Sequence, residues 1–348
     1  MHLLLIALLC TALTLPAAAQ GERQPSATER AFDAQVFTGL ADQAEALTDL
    51  RGLVVLRRGR VAFEYQRGAQ MRDALQPVES VTKSVLSLLV GIAVDQGRIA
   101  SLDQPVLTLL PQLADANDDP RALRLTVRHL LTMTAGFQPS ERRFFDAKER
   151  ARFAMARRFE AEPGMQFRYD NPAADLLAAL LQQAVGETPL AFAQRQLFAP
   201  LGIEASDWAR DEQGRQLGFS GLQLRTRDMA RIGQLMLQQG RWAGQSVVSE
   251  DFVRAASTRR NGGGPPVGLH YGYLWWVAPS DAPRPPFVAS GYGGQFIWVD
   301  SALQLVIAAS ADPTAAGAAR HQALDLIRQY IVPAVAKSQP AQPPAGGG

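Results

Sequence analysis

Cysteine is almost absent from this sequence. Its single copy, Cys10, lies in an apolar N-terminal run, so the rest of the chain has no thiol for a disulfide framework or for nucleophilic attack. Histidine is nearly as scarce. Beyond His2 there are His129, His270 and His321, too scattered to form a zinc cluster with any cysteine, and no metal or organic cofactor is implied. The formal net charge is only +2 and the arginines are dispersed, which leaves no basic stripe with interleaved aromatics for nucleic acid. Beyond the N-terminal run no apolar segment approaches membrane-spanning length, so no span is expected in the mature protein. Lysine is the most telling scarcity. Among 35 Lys plus Arg, only Lys83, Lys148 and Lys337 are lysines.

What is present begins with "MHLLLIALLCTALTLPAAAQ". An apolar run from Leu3 to Leu15 precedes the small residues Ala17-Ala18-Ala19, the pattern of a secretory signal peptide cleaved after Ala19. Residues 1–19 are therefore expected to be removed and the protein to be periplasmic or secreted. Residues 20–30 are polar and expected to be disordered, as is the tail 337–348 with its "QPAQPPAGGG".

Residues 31–50 have helical spacing, and "RGLVVLRRGRVAFEYQRG" predicts two strands around the turn Arg58-Gly59. A helix follows over "SVTKSVLSLLVGIAVDQG", ended by Gly97. From 103 to 221 helical patterns dominate. "NPAADLLAALLQQAVG" carries Pro at its start and Gly at its end, the asymmetry expected of a helix. "TRDMARIGQLMLQQG" is a further helix. Strand signals return in "YGYLWWVAP", "PFVASGYGGQFIWVD" and "LQLVIAAS", before a last helix over "AARHQALDLIRQYIVPAVA". Strands thus come from both ends of the chain and the middle is helical. The expected organisation is a sheet domain from 31–102 and 222–336, with a mainly helical domain from 103–221 inserted and a cleft between them.

Lys148 lies in the charged run "DAKERAR" and Lys337 in the tail, so both look solvated. Lys83 sits in an apolar helix. Ser80, the only serine followed three positions on by lysine, shares a helical face with it. A serine hydroxyl needs an adjacent base to become a nucleophile, and burial disfavours the charged form of a lysine, which ordinarily titrates at about 10.4. At a helix N-terminus the Ser80 N–H also points toward any oxyanion formed there. The plain alternative is Ser80 as an N-cap with Lys83 snorkelling to water.

Two further patterns bear on that choice. In "QFRYDNPAADLL", Tyr169 beside a lysine can serve as general base and then acid, and Asn171 can bind Lys83 or a substrate carbonyl; otherwise the segment is an aromatic beside a helix cap. In "ASGYGGQFIWV", Gly291, Gly293 and Gly294 interrupt a strand pattern and mark close approach of a ligand or backbone, with the Tyr292 N–H between them as a second oxyanion donor.

The ordered set Ser80-x-x-Lys83, Tyr169-x-Asn171 and the glycine-flanked strand motif resembles the serine β-lactamase and penicillin-binding protein superfamily. It is most similar to its class C β-lactamase-like hydrolases, including the 6-aminohexanoate-dimer hydrolase and esterase members. "TVRHLLTMTAGF", "LFAPLGI" and "YGYLWW" add to the likeness, which covers roughly residues 30–335. The resemblance implies an α/β (α+β) β-lactamase-like fold, with an antiparallel sheet flanked by helices plus a mainly helical inserted domain. It implies Ser80 as the acylated nucleophile, Lys83 as its activating partner and Tyr169 as acid/base. Asn171 would position the substrate, with Gly291, Tyr292 and Gly293 around the oxyanion.

One departure matters. Members acting on β-lactams or peptidoglycan carry Lys-Thr-Gly or a His variant where this chain has Gly291-Tyr292-Gly293. A substrate carboxylate thereby loses its obvious partner unless an arginine such as Arg225 or Arg227 replaces it. The expected activity is hydrolysis of a small ester, amide or peptide-like substrate. A D-alanyl-D-alanine carboxypeptidase or β-lactamase is the alternative among enzymes, and a non-catalytic binding protein on the same fold the alternative outside them. A Ser-His-Asp hydrolase is disfavoured, since no G-x-S-x-G elbow is present.

Overall fold

The computed structural model describes residues 26–314 and 319–338. The expected signal peptide (residues 1–19), residues 20–25 and residues 339–348 lie outside them. Two short helices open the described chain, α1 (Ala27–Val36) and α2 (Leu40–Ala46). Ser26 and Glu29 form a reciprocal capping box at the start of α1. Residues 27–30, expected to be disordered, are thus helical; the cap supplies the start signal that polarity alone concealed.

Strands β1 (Leu50–Arg57) and β2 (Arg60–Gln66) form the expected hairpin, with Arg58 and Gly59 both at positive φ. The chain returns to the sheet only after residue 260, with β3 (Asn261–Gly264), β4 (Leu269–Tyr271), β5 (Trp276–Val277), β6 (Phe287–Gly291), β7 (Gln295–Asp300) and β8 (Leu305–Ala311). The order across the sheet is β2-β1-β8-β7-β6-β5-β4-β3, and every neighbouring pair is antiparallel. β1 pairs with β8, with Leu53 opposite Ala309, so the two ends of the chain meet within the sheet.

Both faces of the sheet are covered, which is why its central strands are apolar at nearly every position. Ile297 and Val299 face the helix α5 described below, whereas the Arg328 guanidinium of the C-terminal helix lies over the alternate residue, Trp298. That helix runs from Ala319–Asp325 through a wide turn, Leu326–Ile331, into Val332–Lys337. Folded chain therefore extends through Ser338, past the expected start of the tail at 337. One strand expectation needs correction, and one strand went unexpected. "YGYLWWVAP" is not one strand but a hairpin, β4 and β5, closed by Gly272 N–H bonding the Trp275 carbonyl. A side chain at Gly272 would meet the Ala256 carbonyl at 2.0 Å, so the chain turns where only glycine fits. The glycine-rich β3 had no strand signal at all.

Three helices matter most to the site: α3 (Val81–Asp95), α4 (Asn171–Val185) and α5 (Thr226–Leu237). Every residue of α3 from Val81 to Ala93 is buried. It packs against β6 on one side and α4 on the other. One continuous apolar core runs through sheet and helical segments alike, from Phe37 to Val335. Among the described residues no single helix is long and apolar enough to cross a membrane.

α5 approaches the sheet at Gly233, where a Cβ would stand 2.5 Å from Val306 Cγ1 and 2.7 Å from Ile297 Cγ2. In an open helix, glycine to alanine gains up to about 1 kcal/mol. Here overpacking, typically about 1–3 kcal/mol, opposes that gain and exceeds it. Gly233→Ala is expected to lower the urea unfolding midpoint; an unchanged or raised midpoint would show that the helix has room to lift.

Candidate active site

The helix α3 begins at Ser80, whose φ of −69° and ψ of −4° are already helical. Its hydroxyl makes no capping bond. Instead Oγ accepts a hydrogen bond from Lys83 Nζ at 2.9 Å, the i, i+3 contact expected of the spacing. Lys83 does not snorkel. It is 1% exposed, and Nζ donates a second bond of 2.8 Å to the Phe219 carbonyl. Nζ also lies 4.8 Å from the Tyr169 ring centroid and 5.9 Å from that of Phe219, where aromatic faces favour a cation. Lys148 and Lys337 are exposed, as expected. Glu79, directly before Ser80, adopts a φ of +49°, a strained value for a non-glycine residue. Burial pushes its carboxyl up, with the Lys83 charge acting against the shift.

Tyr169 and Asn171 are aimed by the residue between them. Asp170 caps α4 by accepting the Ala173 N–H at 3.3 Å, and binds the buried Arg157 guanidinium through both oxygens at 3.0 and 2.8 Å. With Asp170 turned inward, Tyr169 and Asn171 both line the cleft. The Tyr169 ring stacks on Trp276 at 5.7 Å and 22°, and Trp276 meets Tyr271 edge-on at 4.6 Å. Full burial pushes the Tyr271 phenol well above its ordinary value. Trp276 was visible in the sequence only as part of "YGYLWW", with no sign that it backs the tyrosine.

The third segment is the β6–β7 hairpin. Gly291 pairs with Gln295, so Gly293 and Gly294 lie in the turn rather than in a strand, with φ of +77° and +99°. A Cβ on Gly291 would stand 2.4 Å from the Val78 carbonyl oxygen, and one on Gly293 2.5 Å from Pro313 Cα. Of the two causes that the glycines signalled, the close neighbour is backbone in both cases. At Gly291 that backbone is the segment leading into Ser80, which places the hairpin beside the serine. Gln295 locks the turn by exchanging bonds of 2.7 and 3.2 Å with the Ala311 backbone. The Tyr292 side chain is 51% exposed.

These three segments border one cleft of about 1150 Å³. Ser80, Tyr169, Asn171, Gly291, Tyr292 and Gly293 all line it, with Lys83 behind Ser80. Phe145, Phe167, Phe219, Trp276 and Phe296 give it a largely aromatic wall. The expected stand-in arginines are elsewhere. Arg225 bonds the Asp73 carbonyl and Arg227 pairs with Glu64 of β2 at 3.1 Å, so both are held away from the cleft. The arginines that do line the cleft are Arg168, paired with Glu160 at 2.6 Å, and Arg328. Neither His129 nor His270 borders the cleft; His129 Nδ1 accepts the Thr126 N–H at 3.2 Å.

The chain is 26% identical over 328 residues to the 6-aminohexanoate-dimer hydrolase of Paenarthrobacter ureafaciens, covering 84% of this chain and 81% of that one. It is 29% identical over 225 residues to the esterase EstB of Burkholderia gladioli, a match spanning 59% of this chain and 56% of EstB. Among solved structures, EstCE1, described as a hydrolase with promiscuous acyltransferase activity, superposes with a TM-score of 0.72 at 19% identity, covering 88% of this chain and all of EstCE1, which shows the shared fold. The family model described as Beta-lactamase matches residues 27–330, nearly the whole described chain, and the protein belongs to that β-lactamase family.

Proposed function

We propose that this protein is an exported serine hydrolase that cleaves an ester or amide bond through an acyl-enzyme on Ser80. The observation that carries this reading is the buried Lys83 amine, 2.9 Å from Ser80 Oγ and against the face of Tyr169. In the proposed cycle Ser80 Oγ attacks the substrate carbonyl carbon and its proton passes to the Lys83–Tyr169 pair. The carbonyl oxygen gains the negative charge and is received by the Ser80 and Tyr292 N–H groups. Collapse breaks the bond to the alcohol or amine, which leaves with the proton returned by Tyr169. Water then repeats the sequence on the acyl-enzyme and frees the acid. Asn171 holds the substrate carbonyl or Lys83 in line.

The relatives support both bond types, since one is named for an amide-containing dimer and another as an esterase. The aromatic wall favours an apolar acyl group. Gly291-Tyr292-Gly293 supplies no cation, Arg168 is already held by Glu160 and the Arg328 guanidinium lies over the Trp298 ring, so a carboxylate-bearing β-lactam or D-alanyl peptide has the poorer fit. Export rests on the N-terminal composition alone.

Wild-type protein is expected to gain one adduct in intact mass on exposure to a fluorophosphonate, and Ser80→Ala none. An adduct on both would refute Ser80 as the nucleophile. Lys83→Ala and Tyr169→Phe should each slow hydrolysis of a short ester by about 100-fold or more, the usual cost of an acid/base group. Tyr292→Ala should cost less than either, because the donor proposed there is backbone. Labelling of Ser80 by a fluorescent penicillin at rates matching ester turnover would instead favour the β-lactam reading. For export, the periplasmic or secreted protein should begin at Gln20; full-length protein retained in the cytoplasm would contradict it.

A further inference from the structure

The Lys83 amine has its second acceptor on the segment 217–222, which is far from α3 in sequence and has no regular structure over most of its length. That segment is pinned at successive points. Trp208 Nε1 donates to the Leu217 carbonyl at 2.8 Å, Gly218 N–H donates to Asp175 Oδ1 at 2.8 Å, and Leu222 N–H donates to Thr82 Oγ1 at 3.2 Å. Gly218 also lies so close to α4 that a Cβ there would be 2.1 Å from the Ala174 carbonyl. Asp175 is itself one turn along α4 from Asn171 and is buried.

Resting on the acyl-enzyme reading above, we propose that Asp175 is a positioning residue for the reaction. It fixes the Phe219 carbonyl, and through it the Lys83 amine, relative to the α4 N-terminus that carries Tyr169 and Asn171. The path is short: carboxylate to Gly218 N–H, one residue on to the Phe219 carbonyl, then Lys83 Nζ and Ser80 Oγ at 2.8 and 2.9 Å. Nothing in the sequence marks Asp175 out, since a polar residue in a helix is ordinarily solvated.

The choice of an acid here is costly. Burial pushes the Asp175 carboxyl up to about 6, opposed by the Gly218 N–H and by the Arg150 and Arg215 charges and reinforced by Asp211. A carboxyl raised in the folded state above its ordinary value destabilises the fold once ionised, and that penalty fades as pH falls through 6. Asparagine would accept the same bond without it. The ionised oxygen is, however, the stronger acceptor for the Gly218 N–H. Protonation near pH 6 weakens that anchor.

The test compares Asp175→Asn and Asp175→Leu with wild type in fluorophosphonate acylation rate, kcat and KM for a short neutral ester, and melting temperature. Asp175→Asn keeps an acceptor and should stay within about threefold of wild type in kcat at pH 8, while melting higher. Asp175→Leu has no acceptor and should lose about tenfold or more in acylation and kcat with KM little changed, as misplacement of a reacting group does. Below pH 6 the protonated wild-type carboxyl accepts only as a neutral carbonyl, like the amide, so the wild-type advantage over Asp175→Asn seen at pH 8 should close. An Asp175→Leu variant that acylates at the wild-type rate overturns the proposal. If that variant does not fold, the wild-type and Asp175→Asn pH profiles decide, and parallel profiles overturn it. A wild type that takes no adduct at all refutes the acyl-enzyme reading instead, and this inference with it.

Discussion

The site is built around one buried amine. An alkylammonium or amine removed from water costs several kcal/mol unless its donors find acceptors, and Lys83 is almost wholly removed. It donates to Ser80 in its own helix and to Phe219 in a segment 136 residues further along. The first is dictated by helix geometry. The second needs the whole fold, because segment 217–222 must lie across the mouth of α3 with a carbonyl turned inward. Val78, just before Ser80, donates its N–H to the Leu222 carbonyl, and Thr82 receives the Leu222 N–H, so the two stretches are laced together on both sides of the serine.

The sheet contributes by proximity. β6 ends at Gly291 against the Val78 carbonyl, and no residue with a side chain could bring the hairpin that close. The contact sets the Tyr292 backbone beside the start of α3. Rigidity comes from behind, where Gln295 is buried and bonded twice to Ala311 of β8. α3, β6 and segment 217–222 therefore converge on one residue pair, each held by backbone contacts that substitutions of exposed side chains would barely disturb.

How much of this was legible depended on distance along the chain. Ser80 and Lys83 could be paired from sequence because i and i+3 are neighbours on any helix. The limits of α4 were legible because Pro172 and Gly186 punctuate it, and the β1–β2 turn because Arg58-Gly59 interrupts an apolar run. The glycines at 291 and 293 announced a close approach without saying whose. Partners brought together only by tertiary folding left no local trace: Phe219 beneath Lys83, Trp276 behind Tyr169, Asp175 under Gly218. Arg225 and Arg227 were plausible stand-ins only while the path of the chain into α5 was unknown.

The missing cation of the third motif weighs less once the cleft is considered as a surface. An ion pair in an open cleft is screened by water and contributes about 0–1 kcal/mol. An acyl group that buries roughly 100 Å² of apolar surface against Phe167, Phe219 and Trp276 gains about 2.5 kcal/mol at the usual ~25 cal/mol per Å². A cleft with this wall thus gains more from an apolar acyl chain than it forfeits by lacking the lysine. Glu79, the half-buried carboxyl directly before Ser80, offers a substrate carboxylate no cation either. The aromatic wall thereby favours apolar acyl groups over the carboxylates that the Gly291-Tyr292-Gly293 motif fails to hold.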